Sequence, residues 1–83
     1  MSEKINEPVS VNLVYNSTFK KAVPSCLKWR NRVYKITQMG LHHTTMIGKT
    51  LMHIFSVTDG KTFFRLSFNT QNLSWMLEET YCE

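Results

Sequence analysis

The sequence predicts an all-β chain, with five or six antiparallel strands in a meander curled into a small half-open barrel or strongly twisted sheet. Three observations predict it. Apolar and polar residues alternate with a period of two over much of the chain, and no helix-length stretch shows a 3.6 period. Turn-forming residues recur at short intervals, as a meander requires. Separate turn assignments at Asp59-Gly60 and at Asn69-Thr70-Gln71-Asn72 send the same residues, Phe64, Leu66 and Phe68, to one face.

Met1 to Glu7 is polar and runs into Pro8, so residues 1–7 are expected to be a flexible tail and residues 8–83 a single β domain. Val9, Val11, Leu13 and Tyr15 alternate with Ser10 and Asn12, a half-buried strand from which Val14 departs. Arg30-Asn31 reads as a hairpin loop, since Asn tolerates the left-handed conformation its second position needs. That loop pairs Leu27 with Tyr34 and Trp29 with Arg32, and sends Lys28 and Lys35 to the other face with Cys26 and Val33. Gly40 marks a bulge or bend in the next strand. Thr44 to Lys49, with Gly48, reads as the longest loop inside the meander. As a two-residue type I′ loop, Asp59-Gly60 sets Val57 opposite Thr62, Phe55 opposite Phe64 and His53 opposite Leu66. The four-residue loop at 69–72 then sets Phe68 opposite Leu73, Leu66 opposite Trp75 and Phe64 opposite Leu77. The reverse face carries Met52, Ile54, Phe63, Arg65 and Met76. In these registers Ile54 and Met76 flank Arg65, and Phe63 neighbours Glu78.

Eighty-three residues make one core and exclude any enzyme of multidomain size. Hydrophobic residues are 42% of the chain, enough to fold. There is no apolar run long enough to span a bilayer and no leader pattern at Met1, and Cys26 and Cys82 are too few for a disulfide scaffold. A cytoplasmic protein without membrane partners is expected. The net charge of +4 is unevenly spread: residues 8–65 carry nine Lys and Arg against one acid, Asp59, whereas residues 66–83 carry Glu78, Glu79 and Glu83 and no cation. A basic middle is the footprint of an anionic partner.

No catalytic or metal constellation emerges. His42 and His43 are adjacent, so they point to opposite faces of a strand, and no ligand spacing accompanies them. His53 falls on the apolar face, where an imidazole needs a hydrogen-bond partner. Cys26 lies beside Lys35 but lacks an orienting third group. Glu78 and Glu79, as strand neighbours, are expected on opposite faces. Gly48-Lys49-Thr50 lacks the rest of a phosphate-binding loop. An enzyme is therefore not expected, nor a cofactor, metal or small-molecule substrate. What remains is a basic, aromatic cluster: Lys28, Arg30, Arg32 and Lys35 around Trp29 and Tyr34, with His42, His43 and Lys49 further along. It suits DNA or RNA held mainly through phosphates with weak sequence preference. The alternative is a protein-interaction or homodimerisation module using a strand edge or the Met52, Ile54, Phe63, Arg65 and Met76 face.

Trp29-Arg30-Asn31-Arg32-Val33-Tyr34-Lys35-Ile36 resembles the tryptophan, arginine, glycine, arginine, then tyrosine and apolar pattern of a bacterial family known as a domain of unknown function. Phe63-Phe64-Arg65-Leu66 and Trp75-Met76-Leu77-Glu78-Glu79 look like its two C-terminal strands, so the likeness covers roughly residues 23 to 81. Asn31 stands where that family usually has Gly. Members occur as short free-standing proteins, and related domains as C-terminal appendages on proteins resembling inactive translesion DNA polymerases. The resemblance implies a role near DNA repair, without assigning a catalytic residue or a ligand.

Overall fold

The structure is a computed structural model that describes residues 2–18 and 20–82. Among them there is no helix, and eight strands run β1 (Ser2–Pro8), β2 (Ser10–Asn16), β3 (Lys21–Trp29), β4 (Arg32–Lys35), β5 (Gln38–Ile47), β6 (Thr50–Thr58), β7 (Thr62–Asn69) and β8 (Ser74–Cys82). They form two antiparallel sheets, one of five strands in the order β1-β8-β7-β6-β5 and one of three in the order β2-β3-β4. The architecture is the curled, half-open one that alternation and turns predict, with more strands than expected and no barrel closure.

Each hairpin has a local cause. Arg30 and Asn31 both take positive φ, 52° and 62°, and close the β3–β4 hairpin in the expected register, Leu27 to Tyr34 and Trp29 to Arg32. Gly40 is the bulge residue of β5, since Met39 faces Val57 and Leu41 faces Ser56. The expected loop at 44–49 is instead strand as far as Ile47. Gly48, at φ +62°, begins a two-residue turn with Lys49 that pairs Ile47 with Thr50.

The Asp59-Gly60 turn uses four residues rather than two. The Asp59 carboxylate accepts the backbone N–H groups of Lys61 (2.9 Å) and Thr62 (2.8 Å), and the first pair outside the turn is Thr58 with Phe63. Val57 then faces Phe64, Phe55 faces Leu66 and His53 faces Phe68, two residues from the expected register. The β7–β8 hairpin moves by two as well, with Phe68 opposite Trp75 and Leu66 opposite Leu77. An even displacement leaves every side chain on its face, so the expected core survives. Leu27, Phe55, Val57, Phe64, Leu66 and Leu77 are buried between the sheets, with Trp29, Tyr34, Ile36, Phe68 and Trp75 packed around them.

Residues 2–7 are not a tail. With Pro8 they form β1, which pairs along β8 from Ser2 opposite Tyr81 to Pro8 opposite Met76 and places Ile5 against the core; Met1 lies outside the described residues. The chain crosses between sheets at two corners. Val9 N–H donates to the Trp75 carbonyl (3.2 Å), and Thr37 N–H to the Thr58 carbonyl (2.9 Å).

Ile54 is also placed differently from the expected exposed face. It is 4% exposed, because β6 is an interior strand and Ile54 sits between His43 on β5 and Ser67 on β7. Ser67, not Arg65, lies opposite Met76, and the partner of Phe63 is Tyr81 rather than Glu78. Glu78 is the extra residue of a bulge between Leu66–Leu77 and Arg65–Glu79. The bulge cancels the strand alternation, so Glu78 and Glu79 both reach Arg65, at 3.4 and 3.6 Å, instead of facing apart.

Candidate functional site

The three-stranded sheet and its turns hold six of the ten Lys and Arg and none of the acids, while Lys4, Lys49, Lys61 and Arg65 belong to the other sheet and its turns. Between residues 10 and 35, which make the three-stranded sheet and its turns, stand Lys20, Lys21, Lys28, Arg30, Arg32 and Lys35, and no acid. The acids belong to the other sheet and its turns: Glu3 and Glu7 on β1, Asp59, and Glu78 and Glu79 on β8; Glu83 lies outside the described residues.

On the outer face of the three-stranded sheet one row is Ser10, Lys28 and Val33 and the next is Asn12, Cys26 and Lys35. Among the described residues neither Lys28 nor Lys35 has a carboxylate within ion-pair distance. An open depression of about 380 Å³ beside this face is lined by Pro8, Val9, Ser10, Lys28, Arg30 and Asn31, so two of the expected phosphate contacts meet there. Arg30 is occupied, however. Its Nη2 lies 2.6 Å from Glu7 Oε2 and its Nε donates to Glu7 Oε1 at 3.2 Å, while Trp29 Nε1–H donates to the same Oε1 at 3.0 Å. These hydrogen bonds, those from Arg30 first and then that from Trp29, hold the Glu7 carboxyl below the ordinary carboxylate range. Arg30 also lies 4.6 Å over the Trp29 ring, and Arg32 5.7 Å over Tyr34. Trp29 and Tyr34 themselves pack on the core, so their rings serve as backing for the guanidinium groups.

His42, His43 and Lys49 do not join that cluster. His43 lies opposite Ile54 on the reverse face of the five-stranded sheet, and Lys49 caps the β5–β6 turn. His42 is on the inner face, where it meets His53. Their Nε2 and Nδ1 atoms are 2.9 Å apart, which satisfies the imidazole that alternation places on the apolar side. The His42 ring lies flat on Phe55, centroids 4.3 Å apart and planes 3° from parallel, yet remains exposed. Burial against that ring, then the positive charge His53, His43 and Lys21 would present, hold His42 below the ordinary imidazole range.

The pair stands in a wider feature. The three-stranded sheet covers the deep part of the concave face but leaves a mouth of about 600 Å³. Its floor is His42, His53, Phe55, Phe68 and Trp75, and Lys20, Lys21, Ala22 and Val23 at the β2–β3 turn face them. Phe68 and Trp75 are ring neighbours at 4.7 Å. Of this set only His42 stands out in the sequence as a binding residue. Trp75 and Phe68 read there as core, and Lys20 and Lys21 as an unplaced basic pair. The row His53, Phe68, Trp75 exists only in the observed register, since the expected turns set His53 and Trp75 both opposite Leu66, and the mouth depends on where the second sheet stops.

No group of three or more His, Cys, Asp or Glu among the described residues converges as a metal site. No helix of these residues is long and apolar enough to cross a membrane. Comparison with known protein families, with curated proteins and with solved structures finds no match to this chain.

Proposed function

We propose that the chain is a non-catalytic nucleic-acid-binding domain that holds phosphates on its three-stranded sheet, with weak sequence preference. The observation that carries this reading is the segregation of charge: six Lys and Arg and no acid between residues 10 and 35. Lys28 and Lys35 share a face with Ser10, Asn12, Cys26 and Val33 and have no acidic partner among the described residues, the arrangement that lets a phosphate approach without first displacing a carboxylate. Among the described residues no helix stands ready to enter a major groove, which agrees with backbone contact over base reading. The resemblance of residues 29–36 to domains appended to polymerase-like proteins would put this surface beside DNA.

The test is fluorescence anisotropy with labelled single-stranded DNA, duplex DNA and RNA at two salt concentrations. Binding should weaken steeply with salt, the logarithm of the constant falling by roughly 0.7 per phosphate contact on a single strand for each tenfold rise in salt. Lys28→Glu with Lys35→Glu should remove it. Flat traces with all three ligands at low salt overturn the proposal.

One observation favours a second reading, a strand-edge partner. β5 is an edge strand of ten residues without a charge or proline, and its Leu41, Met46 and Ile47 are exposed. Association through that edge would be insensitive to salt and would appear as a concentration-dependent mass in light scattering.

A further inference from the structure

The concave face of the five-stranded sheet passes through three zones. Val57, Leu66 and Leu77 are sealed under the other sheet, at 0% exposure each. Met46 and Leu51, opposite one another near the β5–β6 turn, stand in solvent. Between them lies the mouth, where the half-buried rings of His53, Phe68 and Trp75 form one cross-strand row. Half-buried aromatic rings beside free space are what a planar ligand needs, and about 600 Å³ is within the range of about 300–1,000 Å³ typical of small-molecule sites.

Two further features narrow the ligand. Lys20 and Lys21 line the opposite wall and are exposed, so the mouth is aromatic on one side and cationic on the other. The second is the histidine pair. With one proton between Nε2 of His42 and Nδ1 of His53, the atoms left over are Nδ1 of His42 and Nε2 of His53. In the neutral pair one of these carries a hydrogen and the other does not, whichever ring donates. The two atoms stand at opposite ends of the pair and point apart, so a base edge meets one of them, and every base carries both donor and acceptor on its Watson–Crick edge. A planar ring with a polar edge, and an anion beside it, are what the base and phosphate of a nucleotide present.

We infer that this mouth receives one unstacked base of a single strand, its ring against Phe68 and Trp75, its edge met by one ring of the His42–His53 pair, and a flanking phosphate held by Lys20 and Lys21. The inference rests on the polyanion reading above and adds to it the preference for single strands, because a base inside a duplex cannot reach the row without leaving its stack.

The experiment compares two labelled strands of equal length and charge, oligothymidylate and its abasic deoxyribose-phosphate counterpart, on the unaltered full chain. The base-bearing strand should bind about tenfold tighter or more, and the ratio should persist as salt rises while both affinities fall. Lys20→Ala with Lys21→Ala, at exposed positions, should lower the affinity for both strands. In parallel, adenosine monophosphate should shift the NMR signals of the His42 and His53 rings and of Trp75 Nε1–H, leaving Trp29 Nε1–H, bonded to Glu7, in place. Equal affinity for the two strands overturns the mouth as a base site while leaving phosphate binding on the sheet intact. If neither strand binds, the polyanion reading falls. The mouth then stands as a mononucleotide site if adenosine monophosphate shifts the three rings, and falls with it if they stay still.

Discussion

On the proposed reading, Glu7 would compete with an incoming phosphate for Arg30. The carboxylate already supplies what a phosphate would, two oxygens on the guanidinium fork. Glu7→Gln keeps an acceptor for Trp29 but removes the charge. It should tighten single-strand binding and steepen the salt slope by about 0.7, as one more contact is released. An unchanged slope would show that Arg30 does not reach the ligand. His42 sets a second expectation. Its proton affinity is held below the ordinary value of 6.5 by burial and by its cationic neighbours. Between the folded and unfolded values the unfolded chain binds more protons, so stability rises with pH through that window. The contribution is complete above about 6.5 and is lost as pH falls through the folded value. Thermal melts from pH 7.5 to 5 should show the midpoint dropping, and His42→Gln should flatten the profile; a parallel decline in both would assign the effect elsewhere.

Turns decide the elements, and they account for what the sequence does and does not disclose. Arg30-Asn31 discloses its hairpin fully, because two positive φ values demand a two-residue loop and fix the register. Asp59-Gly60 discloses only the face. The Asp59 side chain binds two N–H groups beyond it and draws Lys61 and Thr62 into the turn, so every pair moves by two. Those same bonds, Thr62 first, hold the Asp59 carboxyl below its ordinary 3.8. Asp59→Ala should cost about 1 kcal/mol near neutral pH by leaving the turn amides to water. For a depressed carboxylate the stabilisation is present above 3.8 and disappears as pH falls through the folded value, so the difference between variant and parent in urea melts should vanish in acid. A difference that persists there would point to another role for Asp59. β1 escapes sequence reading for another reason. Its Ser, Glu, Lys and Asn carry little alternation, and the partner that makes it a strand is at the far end of the chain. The bulge at Glu78 is likewise invisible locally, since nothing in Leu-Glu-Glu-Thr distinguishes it from regular strand.

At the scale of the molecule, the two sheets divide the work: the five-stranded one, with its turns, supplies most of the core and all the described acids, the three-stranded one, with its turns, six of the ten cations and no acid. The sequence discloses the basic middle but not its division, six cations on one sheet and Lys49, Lys61 and Arg65 on the other, because that follows from the corners at Val9 and Thr37 rather than from any local pattern. The mouth is hidden for the same reason. β1 links the divisions, as Ile5 packs on the core and Glu7 holds Trp29 and Arg30. A chain beginning at Val9 should unfold at lower urea and with a smaller m-value, having less surface to expose; an unchanged midpoint would make β1 dispensable. The pairing of β1 with β8 has a further consequence, in time rather than in space. β1 has its hydrogen-bond partner in β8, so the five-stranded sheet cannot be completed until β8 has been synthesised. β2, β3 and β4, contiguous in sequence and joined by short turns, can form well before it. Until β8 emerges, the nascent chain would carry the six cations of its three-stranded sheet and turns without β1 docked to hold Glu7 against Arg30.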